Sequence, residues 1–319
     1  MSTVLAAVAR LVLLAALGYL MFRPEFMRKH VLTPLVFTTI NILFPFYFIA
    51  NFGENWDSAA AVGPTWLIGA ALLCGVMMGV QGMYMRRLVG RRFGIPTDHP
   101  AEVATLGALH NAGYIPIPIM QALFGGPVMI YLFFYTLGFN LIFWTIAVAL
   151  VRGGPKQFVF RLNAPTAGLV LGILLAATGW YDLIPGLLRR VMSLAGSISL
   201  DLVLVGLGGV LARISTQAGV DRTDWSRYVV YRSFAYPAAV LLFLWVIPLG
   251  GIPSAVAVAL PVGIVLQASS PPATNLMLVA EAYGTHEQVE VFGRGVIVSY
   301  LASAVAIPVF VTLGFLAFS

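Results

Sequence analysis

The sequence predicts an all-α membrane protein with ten transmembrane helices in two inverted five-helix repeats, the fourth and ninth spans being broken. Three observations carry this expectation. The chain is 60% hydrophobic and only 9% charged, whereas a soluble domain would hold roughly 25% charged residues. Its apolar runs are about 18 to 25 residues long, enough to cross a bilayer as helices, while barrel strands would alternate over segments of roughly ten. Finally, two polar, proline-bearing stretches, His110 to Pro118 and Gln267 to Asn275, interrupt otherwise apolar spans.

In chain order the predicted spans are 4–22, 31–52, 62–83, 101–123, 128–151, 165–181, 189–212, 229–249, 254–280 and 288–317. The first has an apolar run interrupted by Arg10 and no basic segment ahead of it, so it reads as a retained helix and not a cleaved signal. Within the fourth and ninth spans, Pro116, Pro118 and Pro271 remove backbone donors and clash with the preceding turn, which frees peptide groups that lipid cannot satisfy. Such breaks persist where they line a cavity or are buried in protein. Pro118 and Pro271 lie 153 residues apart, close to half of the 319-residue chain.

A polar linker from Arg152 to Asn163 divides the chain into residues 1–151 and 165–319, five spans each. Because five is odd, the second half enters the membrane from the opposite side, and the breaks meet at the midplane. Weak internal similarity agrees: Leu17-Gly18-Tyr19-Leu20 in the first span parallels Leu171-Gly172-Ile173-Leu174 in the sixth. The odd-numbered loops and the span ends beside them hold fourteen Lys and Arg residues, and the even-numbered loops with their span ends only Arg189 and Arg190. Positive charge stays on the cytoplasmic side, so both termini are expected to be extracytoplasmic, and the formal charge of +6 calls for no nucleic-acid partner.

Paired breaks in two inverted halves point to the substrate site of a secondary transporter. Cys74 stands alone, which excludes an intrachain disulfide or a cysteine metal site. No nucleotide-binding loop or His-Glu-x-x-His motif occurs, so neither a nucleotide-driven pump nor a hydrolase is expected, and no catalytic residue, cofactor or metal is assigned.

The chain resembles the auxin efflux carriers, whose plant members are the PIN-FORMED transporters and whose bacterial members include malonate and malate permeases. Asn111, Gly113 and Pro118 follow that family's fourth-span pattern, with Pro116 where a Gly is usual. Pro271, Ala273, Asn275, Ala280, Glu281, Tyr283 and Gly284 follow the ninth-span pattern in order, and Gln121 to Gly125 give a family-like ending to the fourth span. The resemblance implies crossing broken helices, a scaffold of spans 1, 2, 6 and 7 that also forms a homodimer, and a transport domain of spans 3–5 and 8–10. The implied function is elevator-type carriage of a small organic anion, such as an auxin-like weak acid, malonate or malate, across the plasma membrane, the inner membrane in a bacterium. One departure stands out: Asp201 occupies a seventh-span position where the family usually has Pro, opposite Pro45. The alternative reading is a sodium-coupled organic anion symporter resembling the bile-acid symporter family.

The candidate substrate-binding residues are Asn111, Pro116, Pro118, Gln267, Ser270, Pro271, Thr274 and Asn275. An amide can satisfy freed backbone while contacting substrate, so Asn111 and Asn275 either bind the anion or serve the backbone alone. Gln267, Ser269, Ser270 and Thr274 are weaker candidates, since Ser and Thr also bond to the preceding turn. His110 is read either as a proton-coupling group or as a packing histidine. Asp201, the one carboxylate deep within a predicted span, is read either as a proton or cation carrier or as a helix-packing group. Arg10 and Arg232 are expected to snorkel to headgroups. With no Arg or Lys in either break, a carboxylate would rest on helix N-termini following Pro118 and Pro272, together with the two asparagines, an arrangement that favours monoanions.

Overall fold

The computed structural model describes residues 2–60, 63–90, 94–126, 128–151, 163–215, 222–247 and 256–319. Arg91, Arg92, the Arg152 to Leu162 part of the linker and the expected span limits at 249 and 254 lie outside them. The described residues are helical, with two isolated backbone bridges and no strand.

The helices are α1 (Ser2–Met21), α2 (beginning at Glu25 and including Phe44–Ala60), α3 (Pro64–Leu88), α4 (Pro100–Ala108) and α5 (Pro116–Leu123). Then follow α6 (Val128–Val151), α7 (Ala164–Ala177), α8 (Gly186–Ser215), α9 (Trp225–Val246), α10 (Ala259–Ser269), α11 (Asn275–Tyr283) and α12 (His286–Phe318). Helix therefore covers each of the ten expected segments. Six helices are long and apolar enough, by length and composition, to cross a membrane: α2, α3, α6, α8, α9 and α12. The fourth and ninth segments fall outside that set because each is divided, into α4 and α5 and into α10 and α11, and halves of this size rise only roughly 12–17 Å.

Prolines shape the intact helices in a second way. Arg28–Leu32 and Thr39–Leu43 in α2 and Val230–Ala235 in α9 are π-helical turns. Each ends two residues before a proline: Pro34, Pro45 and Pro237. A wider turn accommodates the missing N–H and the ring without ending the helix. Asp224 caps α9 through the Arg227 amide. Hydrogen bonding from Ser226 and then from that amide holds its carboxyl below the usual range.

The most extensive packing joins α1 to α8 and the Phe44–Ala60 part of α2 to α7, with α2 also lying on α8. Elsewhere α3 packs on α6 and α4, and α10 packs on α12 and α9. Small residues permit the α1–α8 approach: a Cβ on Gly18 would lie 2.9 Å from Val205 Cα, and one on Gly208 would lie 2.6 Å from the Tyr19 nitrogen. Between α2 and α6, Tyr47, Phe48 and Phe52 meet Phe133 with ring centroids 5.0–5.5 Å apart. Tyr131, Phe133, Tyr135, Phe139 and Phe143 of α6 are buried inside the chain.

Gly208→Val is expected to force α1 away from α8 and cost roughly 1–3 kcal/mol through overpacking. Gly69, around which a Cβ meets nothing within 4 Å, is the control. Thermal unfolding in detergent should show a lowered midpoint for Gly208→Val and none for Gly69→Ala; equal behaviour would remove the close approach as the cause.

Candidate functional site

The two breaks meet in the interior and satisfy each other. The Asn111 amide donates to the Pro271 carbonyl at 2.7 Å, and the Ala273 amide donates to the Leu109 carbonyl at 2.8 Å. His110 and Pro272 thereby form an antiparallel bridge. Proline at 271 and 272 suits this place, because neither needs to donate while the Pro271 carbonyl accepts.

Side chains complete the crossing. Asn111 Oδ1 accepts from the amides of Gly113 (3.2 Å) and Tyr114 (2.9 Å), and its Nδ2 donates to the Tyr300 hydroxyl at 2.8 Å. Tyr114 donates its hydroxyl to Asn275 Oδ1 at 3.4 Å, linking one break to the other. The Ala112 carbonyl accepts from Thr136 Oγ1 at 3.3 Å and from Gln267 Nε2 at 3.4 Å. Ser269 and Ser270 return their hydroxyls to the Leu266 carbonyl.

A cavity of about 420 Å³ opens at the crossing. Asn111, Gly113, Tyr114, Thr274 and Asn275 line it from the breaks, Thr136, Phe139, Asn140 and Trp144 from α6, and α2 and α8 form the facing wall with mostly apolar side chains. Asn163 and Arg213 also line it, and Arg213 lies 3.6 Å from Glu281. Volume and lining fall in the range of small-molecule sites.

Three of the candidate residues, Asn111, Thr274 and Asn275, are therefore brought to one cavity. Pro116 is buried at the first position of α5, where its missing N–H has no cost. Pro271, Ser270 and Gln267 are buried at the crossing outside that lining, Gln267 beside a separate small cavity. His110 is fully buried with Nε2 2.7 Å from the Tyr135 hydroxyl, outside that lining. Pro118 faces a separate cavity of about 470 Å³ that also holds Arg10, Glu54, Gln121 and Asp201.

Several expectations need correction. The first broken helix restarts at Pro116, not after Pro118, because the preceding amides of Gly113 and Tyr114 are already held by Asn111. Asp201 has a partner in its own chain: Arg10 Nη2 donates to both carboxylate oxygens at 2.7 Å. Arg10 thus pairs instead of snorkelling, and both side chains remain substantially exposed. Arg232 does not snorkel either. It is 1% exposed, its Nη1 donates to the Ala268 carbonyl at 2.9 Å, and its Nη2 donates to the Ser270 carbonyl. The sequence showed no basic residue within either break because this one arrives from α9, and its one visible signal was an arginine a turn and a half before Pro237 in an apolar span. Arg213, counted above as a loop charge, lines the cavity.

Residues 156–311 match the profile of the family described as membrane transport protein, a stretch just under half of the chain that contains the second break. This part of the chain is similar to the membrane transport protein family. That family includes the auxin efflux carriers, so the resemblance read from the ninth span holds. It is a family of transporters, and together with the apolar helices it makes the chain an integral membrane protein with a transported substrate. No curated protein matches the chain.

Arg10 donates to both oxygens of Asp201, which lies within a helix long and apolar enough to cross a membrane, so Asp201→Asn, which leaves Arg10 without its counter-charge, is expected to lower stability. Reversing the pair as Arg10→Asp with Asp201→Arg should recover the loss in thermal unfolding. A double reversal less stable than either single change would show that the two residues do not act as a pair.

Proposed function

We propose that the chain is a secondary carrier of a small organic anion, bound in the cavity at the crossing and moved by sliding of α3–α6 and α9–α12 against a scaffold of α1, α2, α7 and α8. The observation that carries this reading is the convergence of Asn111, Thr274 and Asn275, from breaks 164 residues apart at the two asparagines, onto one cavity in a chain with a transporter-family match. Asn275 Oδ1 is occupied by Tyr114, which leaves its Nδ2 as a donor to an anion. Thr274 adds a hydroxyl, and the N-terminus of α11 adds partial positive charge. Apolar walls including Phe44, Phe139, Trp144 and Leu278 suit a hydrophobic body attached to the carboxylate. Arg213 near the same cavity widens the range, since a second acidic group would have a cation within the lining; the preference for monoanions is accordingly weaker than the sequence suggested.

The ten-span inverted topology supports alternating access. On that topology the cavity opens toward the cytoplasm beside Arg213 and Glu281. Opposite it, Tyr47 donates to Gln121 Oε1 at 3.1 Å and Phe44 meets Tyr114 edge to face at 6.1 Å, closing the path to the second cavity. This is an inward-open arrangement. Packing of α1, α2, α7 and α8 as one group agrees with a scaffold that dimerises in the plasma membrane, with both termini outside.

Asn275→Ala should weaken binding of a carboxylic acid by roughly 1–3 kcal/mol, the value of a charge-assisted bond. Equilibrium binding to purified, folded protein, across aromatic and aliphatic mono- and dicarboxylates, measures this. Unchanged affinity would move the site elsewhere, and tight binding of an organic cation to the wild type would overturn the anion assignment.

A single Cys introduced at Asp57 should react with an impermeant reagent from outside intact cells, while one at Arg87 should be protected. The reverse pattern would invert the topology and the direction in which the cavity opens.

A further inference from the structure

Arg232 poses an energetic problem that its surroundings solve. A guanidinium in an apolar interior is costly unless its charge is matched. None of the ion pairs among the described residues includes Arg232, and its Nε has no hydrogen-bond partner there. What matches it is the end of a helix. α10 stops at Ser269 because Pro271 and Pro272 follow, so beyond the Gln267 carbonyl, which accepts from the Ser270 amide, its end offers carbonyls without intrahelical amide partners and the negative end of the helix dipole. Two of the carbonyls around that end, Ala268 and Ser270, accept from the two terminal nitrogens of Arg232, a planar fork suited to two acceptors at once.

The aim of that fork depends on the fold of α9. Arg232 and Ser233 lie in the π-helical turn Val230–Ala235, which is widened ahead of Pro237. Tyr84 from α3 braces this turn by donating to the Tyr231 carbonyl at 3.4 Å and by lying over Tyr236, with centroids 5.5 Å apart. The proline that reshapes α9 therefore helps deliver the cation to the carbonyls that other prolines exposed in the ninth segment.

Carbonyls at the C-terminal end of a broken helix are the groups with which carriers of this general design hold a dissolved coupling cation. We propose that Arg232 is a built-in cation for the second break: a positioning residue that takes these carbonyls permanently, fixes the segment carrying Thr274 and Asn275, and replaces a dissolved sodium ion there. This inference rests on the carrier reading of the cavity. It assigns the positive charge near the crossing to the protein itself, so an arriving anion is balanced without a co-bound metal ion at that end of α10.

Two titrations of purified protein test it, each following the thermal unfolding midpoint at constant ionic strength. For the wild type, sodium chloride, potassium chloride and choline chloride should give the same midpoint, with no saturable gain from sodium. Arg232→Ala should unfold several degrees lower, and low millimolar guanidinium should recover part of that loss saturably while leaving the wild type unchanged. Arg232→Lys should fall between the two, because a single ammonium cannot span both carbonyls in the same geometry. Saturable stabilisation of the wild type by sodium that is lost when Ala273→Pro removes the Ala273 amide bond to Leu109 would overturn the proposal, as would an Arg232→Ala protein that guanidinium leaves unrecovered. Should Arg232→Ala give no folded protein, the wild-type sodium titration and Arg232→Lys decide the matter: a sodium-dependent wild type or a lysine variant as stable as wild type counts against a two-carbonyl clamp. Failure of the carrier reading is seen separately, as absence of stabilisation by every carboxylic acid, a measurement in which neither sodium nor Arg232 is varied.

Discussion

Two backbone hydrogen bonds hold the centre of this protein together: Asn111 to Pro271 and Ala273 to Leu109. A helix that stops inside a bilayer leaves amides and carbonyls that lipid cannot satisfy, each at a cost of several kcal/mol. One broken helix could not resolve this alone. Two breaks can, by offering each other the donors and acceptors that neither helix supplies, and the remaining groups are covered by Asn111, Thr136, Gln267 and Arg232. The rest of the architecture keeps these two segments in register. α6 presses Thr136 and its aromatic face on the first break, α9 delivers Arg232 to the second, and α12 contributes Tyr300 to Asn111.

Polarity at the crossing is distributed unevenly, and the unevenness explains the site. On one side, hydrogen bonds within the protein occupy the Ser270 hydroxyl, Gln267 Nε2 and the Ala112 carbonyl, so that region is structural support. On the other, Asn275 and Thr274 face open volume beside Trp144, Phe139 and Leu278. A ligand entering there meets donors already held in place by the backbone pairing, so little further ordering is needed on binding. The same proline-rich break that threatens the fold thus becomes a rigid set of polar groups in an apolar chamber.

The broken spans, the presence of the long helices and the position of the two asparagines beside the breaks were legible in the sequence because each depends on local chemistry. Runs of apolar residues must be helical in lipid, proline must interrupt a helix, and an amide beside a break has backbone to satisfy. Similarity to a membrane transport family was legible for a related reason: the ninth-segment pattern of Pro271, Ala273 and Asn275 lies within the residues that match the family.

Tertiary structure alone decided which distant groups meet. Asp201 gave its need for a partner, but nothing in sequence spacing selects Arg10, 191 residues away, over lipid headgroups or a second subunit. Arg232 resembled a snorkelling residue for the same reason: its position along the span was visible, while the direction set by a π-helical turn and the carbonyls waiting across the interior were not. Composition and periodicity record what each segment requires from its surroundings. Which element satisfies that requirement is settled by packing between segments far apart in the chain, where small glycine contacts, widened turns and paired backbone stretches fix the distances.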